Sequence, residues 1–446
     1  MVGIPKNLKY CFIGIGLFGI WFGEQCLAQN PIVPPGIYIA DPEAHVWNDG
    51  KLYVYGSQDE SDAYWCSYKH SVLSTTDLKH WNVTEQAFSS RGEADGVPEH
   101  DDLLFAPDCA YKDGTYYLYY CSPNKQFTEG VATSTSPLGP FTNGKPIAGA
   151  RQIDPAVLID EDSKAYYYWG QQSPKVAPLS ADMKSIDSTQ VRIALDEKGT
   201  QFFHEGSSIR RIRDKYYLVF ADESRRRRPT CLGYAISDSP LGPFEYKGVI
   251  IDNYGSDPAV WNNHGSIEKF GGQWYVFYHR STHNSRKFRK ACVEPITINP
   301  DGTIDEVEMT TQGASGPLTA LRRFSGAMAC QLSGNVRIVK ESDRIIPNEM
   351  LSEIQNGDWA AYKYIDFSDK PKNIRLKYTS QEQGTIYVRL DSPRGREIGK
   401  INVISSSKSY TITSTKINVD TGTHAIYLVF ETTDNQSLHL DWFEFY

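Results

Sequence analysis

The 446-residue sequence lacks the features of several protein classes. It has no excess of basic residues, since 46 Lys and Arg stand against 54 Asp and Glu, which gives a formal charge of −8. Phosphate binding needs a basic face, so this balance argues against a nucleic-acid-binding protein. The one basic run, 225–228, is typical of a solvated hairpin tip. The sequence also has no nucleotide fingerprint, no P-loop and no Ser-His-Asp arrangement.

Cysteine is scarce. Beyond residue 28 only six cysteines remain, and none of them has CxxC spacing: Cys66, Cys109, Cys121, Cys231, Cys292 and Cys330. Such sparse cysteines predict neither a disulfide framework nor a zinc site.

A long apolar run occurs near the N-terminus, but it is too short for a comfortable membrane span. Lys6 and Lys9 precede "CFIGIGLFGIWFG", and the small residue Ala28 follows. This order of a basic region, an apolar region and a cleavage site predicts a secretory signal peptide over residues 1–28, and hence a secreted or periplasmic protein. Cys26 leaves a lipoprotein as the alternative, although Gly-Glu-Gln ahead of it is a poor lipobox.

Aromatic residues, at 13% of the chain, occur in an internal repeat. Five segments share a charged or glycine-containing turn followed by an aromatic strand: "NDGKLYVYG", "KDGTYYLYY", "EDSKAYYYW", "IRDKYYLVF" and "FGGQWYVFY". Each segment predicts two strands joined by a tight turn. Five units of three or four antiparallel strands form a five-bladed β-propeller when they close into a ring, and we expect this domain over residues 29–320.

Carboxylates recur at one position of this repeat. The residues twelve before the blade tyrosines Tyr53, Tyr117, Tyr166, Tyr217 and Tyr275 are Asp41, Phe105, Asp154, Glu205 and Asn263. The innermost strands of a propeller run alongside its axis in the same direction, so equivalent positions meet at one mouth. Asp41, Asp154 and Glu205 are therefore expected to converge. Three clustered carboxylates suit either a cation site or the acid/base cleavage of a glycosidic bond, in which crowding raises one pKa.

An ordered set of motifs resembles glycoside hydrolase family 43. The motifs are "IADPEAHVW", "FAPD" (105–108), "IDPAVLID" (153–160), "HEGSSI" (204–209) and "HGSIEKFGGQWYVFYHR" (264–280), and the resemblance covers about residues 30–318. It implies an inverting mechanism with Asp41 as general base, Glu205 as general acid and Asp154 as the residue that orients the acid and tunes its pKa. The base and the acid of an inverting enzyme are expected to lie about 6.5–9.5 Å apart.

The same resemblance assigns further residues of the propeller. Arg289 in "FRKACVEPI" is expected to reach the sugar pocket, and His264 to help hold a central cation such as calcium through water. Phe105 replaces a frequent tryptophan in the pocket wall, and Trp169 is a second aromatic assigned to substrate binding. No cofactor is expected for the chemistry itself.

A second domain is predicted over residues 325–446, after the small-residue stretch "TTQGASGPLTA". Short alternating strands predict a β-sandwich of the jelly-roll type. "NGDWAAYKYIDF", "GTIYVRLDSPRGREIG" and "LDWFEFY" resemble a family 6 carbohydrate-binding module. In that family two aromatics sandwich a sugar, and Trp359 and Tyr410 are the candidates here. His439 stands where the family has an asparagine.

The resemblance to glycoside hydrolase family 43 favours an exo-acting inverting glycosidase that removes terminal α-L-arabinofuranosyl residues from plant polysaccharides or oligosaccharides. A β-xylosidase or β-D-galactofuranosidase of the same fold is the next alternative. A retaining fructosidase-type enzyme would need companions that "ADPEA" and "HEGSS" lack. A non-catalytic, carbohydrate-binding propeller would use the carboxylates only to bind a cation.

Overall fold

The computed structural model describes residues 29–341, 346–406, 409–432 and 438–446. The predicted signal peptide and Cys26 lie outside these residues. Within them the chain is almost entirely β-structure, with one short helix, α1 (Glu197–Phe202), and four single 3-10 turns at Gly92–Ala94, Ser188–Gln190, Gly313–Ser315 and Gly326–Met328. No helix in the described ranges combines the length and the apolar character needed to cross a membrane.

Five antiparallel sheets follow one another along the first part of the chain, and each is one blade of a propeller. The blades are β1 (Ile39–Val46), β2 (Leu52–Gln58), β3 (Lys69–Thr75) and β4 (Asn82–Ser89); β5 (Phe105–Lys112), β6 (Thr115–Cys121), β7 (Glu129–Ser134) and β8 (Thr142–Pro146); β9 (Ala156–Ile159), β10 (Ala165–Trp169), β11 (Lys175–Leu179) and β12 (Arg192–Ile193); β13 (Phe203–Ile212), β14 (Lys215–Asp222), β15 (Cys231–Ser237) and β16 (Glu245–Asp252); and β17 (Ser266–Phe270), β18 (Gln273–Ser281) and β19 (Arg289–Ile296). The predicted five-bladed propeller is confirmed.

The repeated aromatics lie on the second strand of each blade, where both faces of the sheet are covered by neighbouring blades. In β10, Tyr166 and Tyr168 pack toward the fourth blade, whereas Tyr167 and Trp169 pack toward the second. Alternate residues of a strand point to opposite faces, so a continuous aromatic run fills both inter-blade cores.

The fifth blade is completed by the start of the described chain. Ile32 N donates to the Ala291 carbonyl at 2.9 Å, and the Asn30 side chain bonds both the N–H and the carbonyl of Val293. Residues 30–32 therefore cover the outer edge of β19 and close the ring, which removes an unpaired strand edge.

The second domain is a sandwich of two six-stranded sheets. The strands are β20 (Leu318–Thr319), β21 (Arg323–Ser325), β22 (Gln331–Leu332), β23 (Arg337–Lys340), β24 (Glu349–Ser352), β25 (Trp359–Asp366), β26 (Asn373–Thr379), β27 (Gly384–Leu390), β28 (Glu397–Val403), β29 (Thr411–Lys416), β30 (Thr423–Thr432) and β31 (His439–Phe445). One sheet has the order β20-β25-β30-β27-β28, with β22 beside β25, and the other has the order β23-β24-β31-β26-β29, with β21 beside β31.

A single apolar core lies between these two sheets and includes Ala360, Tyr362, Leu376 and Phe443. The predicted β-sandwich is confirmed. Leu318 also belongs to this core and pairs with Ile365, so the sandwich starts within the range predicted for the propeller.

Candidate active site

The three repeat carboxylates stand at irregular points of the innermost strands. The pairing of β1 slips between Ala40 and Glu43, and the pairing of β13 slips between Glu205 and Ser208. Asp41 has φ +54°, and Asp154, just before β9, has φ +61°. A bulge re-aims the side chain that it carries, and the Pro that follows each Asp cannot donate to the ladder. These local breaks in strand pairing direct the three carboxylates toward the mouth of the propeller.

A pocket of about 240 Å³ opens at this mouth. Its lining comes from all five blades and comprises Asp41, Trp65, Cys66, Phe105, Ile153, Asp154, Gln171, His204, Glu205, Trp261, Asn262, His264 and Arg289. The predicted convergence of Asp41, Asp154 and Glu205 is thus present, although 113 and 51 positions separate them in the chain (154 − 41 and 205 − 154).

Asp41 is buried and held as a carboxylate. Its Oδ1 accepts from Arg289 Nη1 at 2.8 Å, and its Oδ2 accepts from the Ser57 hydroxyl at 2.8 Å. Burial raises the pKa of Asp41, but the Arg289 guanidinium and the nearby imidazoles outweigh that effect, and the pKa falls to about 2. Asp41 is therefore ionised at any pH near neutral, as a general base must be.

A neutral histidine supports the backbone of Asp41. Asp41 N donates to His279 Nδ1 at 3.3 Å, and His279 Nε2 lies 3.1 Å from the Asn262 carbonyl. This pattern assigns the proton to Nε2. His279 is fully buried, and burial, with the charge of Arg289, lowers its pKa to about 3. The imidazole therefore acts as a fixed hydrogen-bond bridge between the first and the fifth blades.

Asp154 has the opposite electrostatic environment. Its Oδ1 accepts from the Cys121 thiol at 3.7 Å and its backbone N–H donates to the same sulfur at 3.2 Å, but no cationic Lys or Arg side chain pairs with it in the described part of the chain. Burial and the facing carboxylates of Glu205 and Asp41 raise the pKa of Asp154 well above its usual value. This environment favours the protonated form of the Asp154 carboxyl.

Glu205 is the most accessible of the three, with a side chain 14% exposed. Gln171 Nε2 donates to its Oε2 at 2.9 Å, and Asn262 Nδ2 donates to its Oε1 at 3.3 Å. The side-chain amides of Gln171 and Asn262 thus bond one carboxyl oxygen each and fix the orientation of Glu205 in the pocket. Gly206, which follows it, has φ +76°, and an added Cβ there would lie 3.0 Å from the His264 ring.

Arg289 is confined by two carboxylates. Its Nε and Nη2 donate to Asp59 at 2.9 Å each, while Nη1 reaches Asp41. The side chain is only 2% exposed, and its guanidinium lies 5.0 Å from the centre of the Trp65 ring. The structure thus places Arg289 at the predicted pocket, but its hydrogen bonds go to Asp59 and Asp41 and not into open space.

Aromatic side chains form the walls of the pocket. Phe105 lines it as predicted, together with Trp65 from the long first-blade hairpin and Trp261 from the loop before β17. The guanidinium of Arg286 lies 4.2 Å above the Trp261 ring. Flat rings around a polar floor suit a sugar, which presents both C–H faces and hydroxyl groups.

The assignment of Trp169 to substrate binding is wrong. Its side chain is 2% exposed and packs with Tyr167 in the core between the second and third blades, where its indole N–H donates to the Arg151 carbonyl at 3.2 Å. The aromatic block of β10 belongs to a strand covered on both faces. A side chain in such a position cannot stack on a ligand.

His264 is buried beside the carboxylates, with Nδ1 3.5 Å from Asp41 Oδ1 and 4.0 Å from Asp154 Oδ2. A separate group of potential ligands lies lower on the axis and consists of Glu43, His45 and Asp108. There the guanidinium of Arg210 bonds Glu43 at 2.8 Å and Glu268 at 3.0 Å. That lower group therefore already contains a cation supplied by the chain.

The predicted aromatic pair of the sandwich domain does not form. Trp359 alternates with the core residues Ala360 and Tyr362, so it lies on the outer face of its sheet, where it packs on Tyr427. Tyr410 lies outside the opposite sheet, with Lys377 Nζ 3.9 Å from its ring centre. The two rings are on opposite sides of the sandwich and cannot hold one sugar between them. His439 bonds Ser352 through Nδ1 at 2.9 Å.

Sequence reasoning missed the groups that hold the carboxylates. These are Ser57, Asp59, Gln171, Asn262 and His279. Ser57, Asp59, Gln171 and His279 lie at or just beyond the ends of second strands, which return to the mouth where the first strands begin. This antiparallel geometry is the signal by which they could have been found.

Two family models match the chain. "Glycosyl hydrolases family 43" matches residues 28–304, and "Carbohydrate binding module (family 6)" matches residues 327–446. Both predicted resemblances are confirmed.

Individual relatives match over most of their length. A xylosidase/arabinosidase of Thermoclostridium stercorarium is 30% identical over 92% of this chain and 97% of its own, and an arabinoxylan arabinofuranohydrolase of Paenibacillus polymyxa is 28% identical over 91% and 72%. Among solved structures, a family 43 arabinoxylan arabinofuranohydrolase from Bacillus subtilis in complex with cellotetraose is similar with a TM-score of 0.52 and 26% identity, over 93% of this chain and 97% of that one.

Proposed function

Because the chain belongs to glycosyl hydrolase family 43, a family in which inversion is typical, we propose that it removes terminal α-L-arabinofuranosyl residues from arabinoxylan-type polysaccharides or oligosaccharides. The observation that carries the proposal is the pocket in which Asp41, ionised by Arg289, faces Asp154 and Glu205. The names of the relatives support the substrate class.

The proposed reaction is a single displacement. Asp41 accepts a proton from a water molecule as that water bonds to the anomeric carbon. The bond between this carbon and the leaving oxygen breaks, and Glu205 gives its proton to that oxygen. The products are a sugar of inverted configuration and a free alcohol. No covalent sugar–enzyme intermediate forms.

Asp154 maintains the acid in this scheme. Burial and the negative charges of Glu205 and Asp41 raise the pKa of Asp154, which favours a neutral Asp154 carboxyl beside the proposed acid. Gln171 and Asn262 fix the plane of Glu205, so its proton is delivered toward the pocket. The proposal therefore assigns the base to the ionised Asp41 and the acid to Glu205, with Asp154 beside it.

Exo action is part of the proposal. The pocket is small, with a volume of about 240 Å³, and Trp65 and Trp261 are among its lining residues, so it suits one terminal sugar ring better than the middle of a polymer. A β-xylosidase is the second candidate, supported by the xylosidase/arabinosidase relatives. Export by the N-terminal segment also belongs to the proposal, since polysaccharide substrates lie outside cells.

The chemistry itself needs no cofactor, but a structural calcium on the axis is a further part of the proposal. Asp154 Oδ2 receives no hydrogen bond from the described residues and lies near His264, so these two groups fit a water-bound hard cation. Such a cation would supply positive charge beside the carboxyl groups. In the proposed reaction the acid donates a proton and the base accepts one, with no step at this cation.

A time course of proton NMR spectra tests the proposal. The purified protein is incubated with 4-nitrophenyl α-L-arabinofuranoside, β-D-xyloside or β-D-galactofuranoside, and the anomer released first is identified. Release of the inverted anomer from the arabinofuranoside is expected. A retained anomer would contradict single displacement, and preferential cleavage of the xyloside would favour the second candidate.

A further inference from the structure

The interface between the propeller and the sandwich contains a buried ion pair. Lys290, next to Arg289 in β19, bonds through Nζ to Glu349 Oε2 at the start of β24. Each residue is 2% exposed. A buried pair pays a large desolvation cost and is weak evidence for stability alone, so its position calls for another explanation.

Glu349 contacts a second segment of the propeller as well. Its Oε1 accepts from Gly36 N at 3.1 Å, and its charge, together with burial, raises the pKa of Tyr38. Lys290 Nζ lies 5.2 Å from the centre of the Tyr38 ring. One carboxylate of the sandwich therefore holds both the segment that leads into β1 and the beginning of β19.

The approach of the two domains at this point is close. Gly36 has φ +79°, and an added Cβ would lie 2.7 Å from Pro347 Cβ. His283 N also donates to the Ile338 carbonyl at 2.8 Å, and Lys340 N donates to His283 Nε2 at 2.9 Å. The contact around Glu349 is thus part of a tightly packed interface.

Both segments lead to Asp41 by direct contacts. The Tyr38 carbonyl accepts from Asp59 N at 3.0 Å, and the Asp59 carboxylate holds Arg289. Arg289 in turn donates to Asp41 Oδ1. From the other side, Lys290 fixes the strand that carries Arg289. Glu349 is therefore connected to Asp41 by two sets of contacts, one through Tyr38 and Asp59 and the other through Lys290, and both include Arg289.

We propose that Glu349 is a positioning residue for Asp41, so that the sandwich domain contributes to the turnover of small soluble substrates. This inference rests on the role proposed above for Asp41. The sandwich keeps Tyr38, Asp59 and Arg289 in register, and Arg289 keeps the carboxylate of Asp41 ionised and aimed at the pocket. The effect acts on catalysis and is independent of any binding of polymer.

The test is Glu349→Gln in the full-length protein, assayed on 4-nitrophenyl α-L-arabinofuranoside well below the melting temperature of the variant. We expect kcat to fall about tenfold, because small displacements of a catalytic group are costly, while KM changes by less than about twofold. We also expect the acid limb of the kcat/KM profile to move to higher pH, because a looser Arg289 stabilises ionised Asp41 less.

The matched control is Glu444→Gln. Glu444 is a carboxylate of the same domain that pairs with Arg375 at 2.9 Å on the outer face, away from the propeller, so its loss should leave kcat and the pH profile unchanged. If Glu349→Gln does not fold, Glu349→Asp keeps the charge but shortens the reach to Gly36 N, and the same changes are expected at smaller size.

A variant with a lower melting temperature but the kcat and acid limb of the wild type would overturn the inference and leave a structural role only. The proposed function fails separately, through a wild-type protein that cleaves none of the three aryl glycosides. An active wild type, an inactive Asp41→Asn and an unaffected Glu349→Gln would contradict the positioning role alone.

Discussion

Arg289 and Asp41 lie 248 positions apart in the chain, yet Arg289 Nη1 donates to Asp41 Oδ1 at 2.8 Å in a site where both are buried. The contact joins the last blade to the first. The ionisation of the proposed base therefore depends on the closure of the ring. Substitutions around this contact separate the roles of the three carboxylates.

The loss of activity in Glu205→Gln is expected to depend on the leaving group of the substrate. Only a poor leaving group needs protonation, so the variant should lose most of its activity on arabinoxylan oligosaccharides and much less on 4-nitrophenyl α-L-arabinofuranoside. Initial rates on both substrates measure this difference. Equal losses on the two would contradict the assignment of Glu205 as the acid.

Asp41→Asn should remove activity on both kinds of substrate, because an amide cannot accept the proton of the attacking water. Added azide is not expected to give a glycosyl azide of retained configuration, since such a product would indicate a covalent intermediate. The check is proton NMR of the products with and without azide. A substantial rate for the variant on the activated glycoside would exclude Asp41 as the base.

Arg289→Met should change the pH profile. Arg289 is the largest of the influences that lower the pKa of Asp41 against burial, so its loss raises that pKa. The base is active above its pKa, and the acid limb of kcat/KM should therefore move to higher pH. Arg225→Met is the control, since Arg225 pairs with Glu306 through two 2.6 Å contacts at the exposed surface. A shift of similar size in the control would contradict the explanation.

Glu129→Gln should stabilise the protein at alkaline pH. Glu129 is buried at the start of β7, its Oε2 accepts from the Tyr167 hydroxyl at 2.6 Å, and burial raises its pKa to about 8. The folded state therefore binds a proton that the unfolded chain has already lost, and wild-type stability falls as pH rises from the unfolded pKa toward 8.

The glutamine is neutral at every pH and can still accept from Tyr167. Its gain in free energy of unfolding is expected to be close to zero near pH 4 and about 5 kcal/mol above pH 8. Urea denaturation at the two pH values measures it, with the exposed Glu245→Gln as the control. A gain that is the same at both pH values would show that the carboxyl of Glu129 does not titrate in the folded state.

Trp359→Ala and Tyr410→Ala should each leave the affinity for insoluble arabinoxylan within about twofold of the wild type, since a sandwich of one sugar between two rings requires both rings at one place. Depletion binding assays give the affinities. A large and equal loss in both variants would show that the rings act together, against their positions on opposite faces of the sandwich.

The sequence was sufficient for the features that repeat. The spacing between Asp41 and Tyr53 recurs in every blade, so the propeller and the meeting of three carboxylates could be predicted from it. Trp169 was misplaced because aromatic character alone does not distinguish a core strand from a sugar platform. The difference depends on whether a neighbouring blade covers the strand, which is a property of the closed ring.

The antiparallel geometry indicates where supporting groups can lie, but their individual partners could not be predicted, because each contact is specific to one blade. Asp59 and His279 lie near the ends of second strands, but their roles depend on Arg289 and Asn262 being nearby in space. The pairing of Lys290 with Glu349 depends further on how the two domains meet. Such contacts are between residues distant in sequence and leave no periodic pattern.

The closure of the fifth blade by residues 30–32 also governs how the propeller forms. Asn30 bonds Val293, which lies 263 positions later in the chain. This contact can therefore form only after nearly the whole propeller domain has been synthesised. Such long-range contacts slow folding, because a large loop must close before they are made. Until then the edge of β19 is unpaired and Arg289 has no fixed neighbour in the first blade. We therefore expect the pocket to be complete only after the ring has closed and Arg289 has reached Asp41.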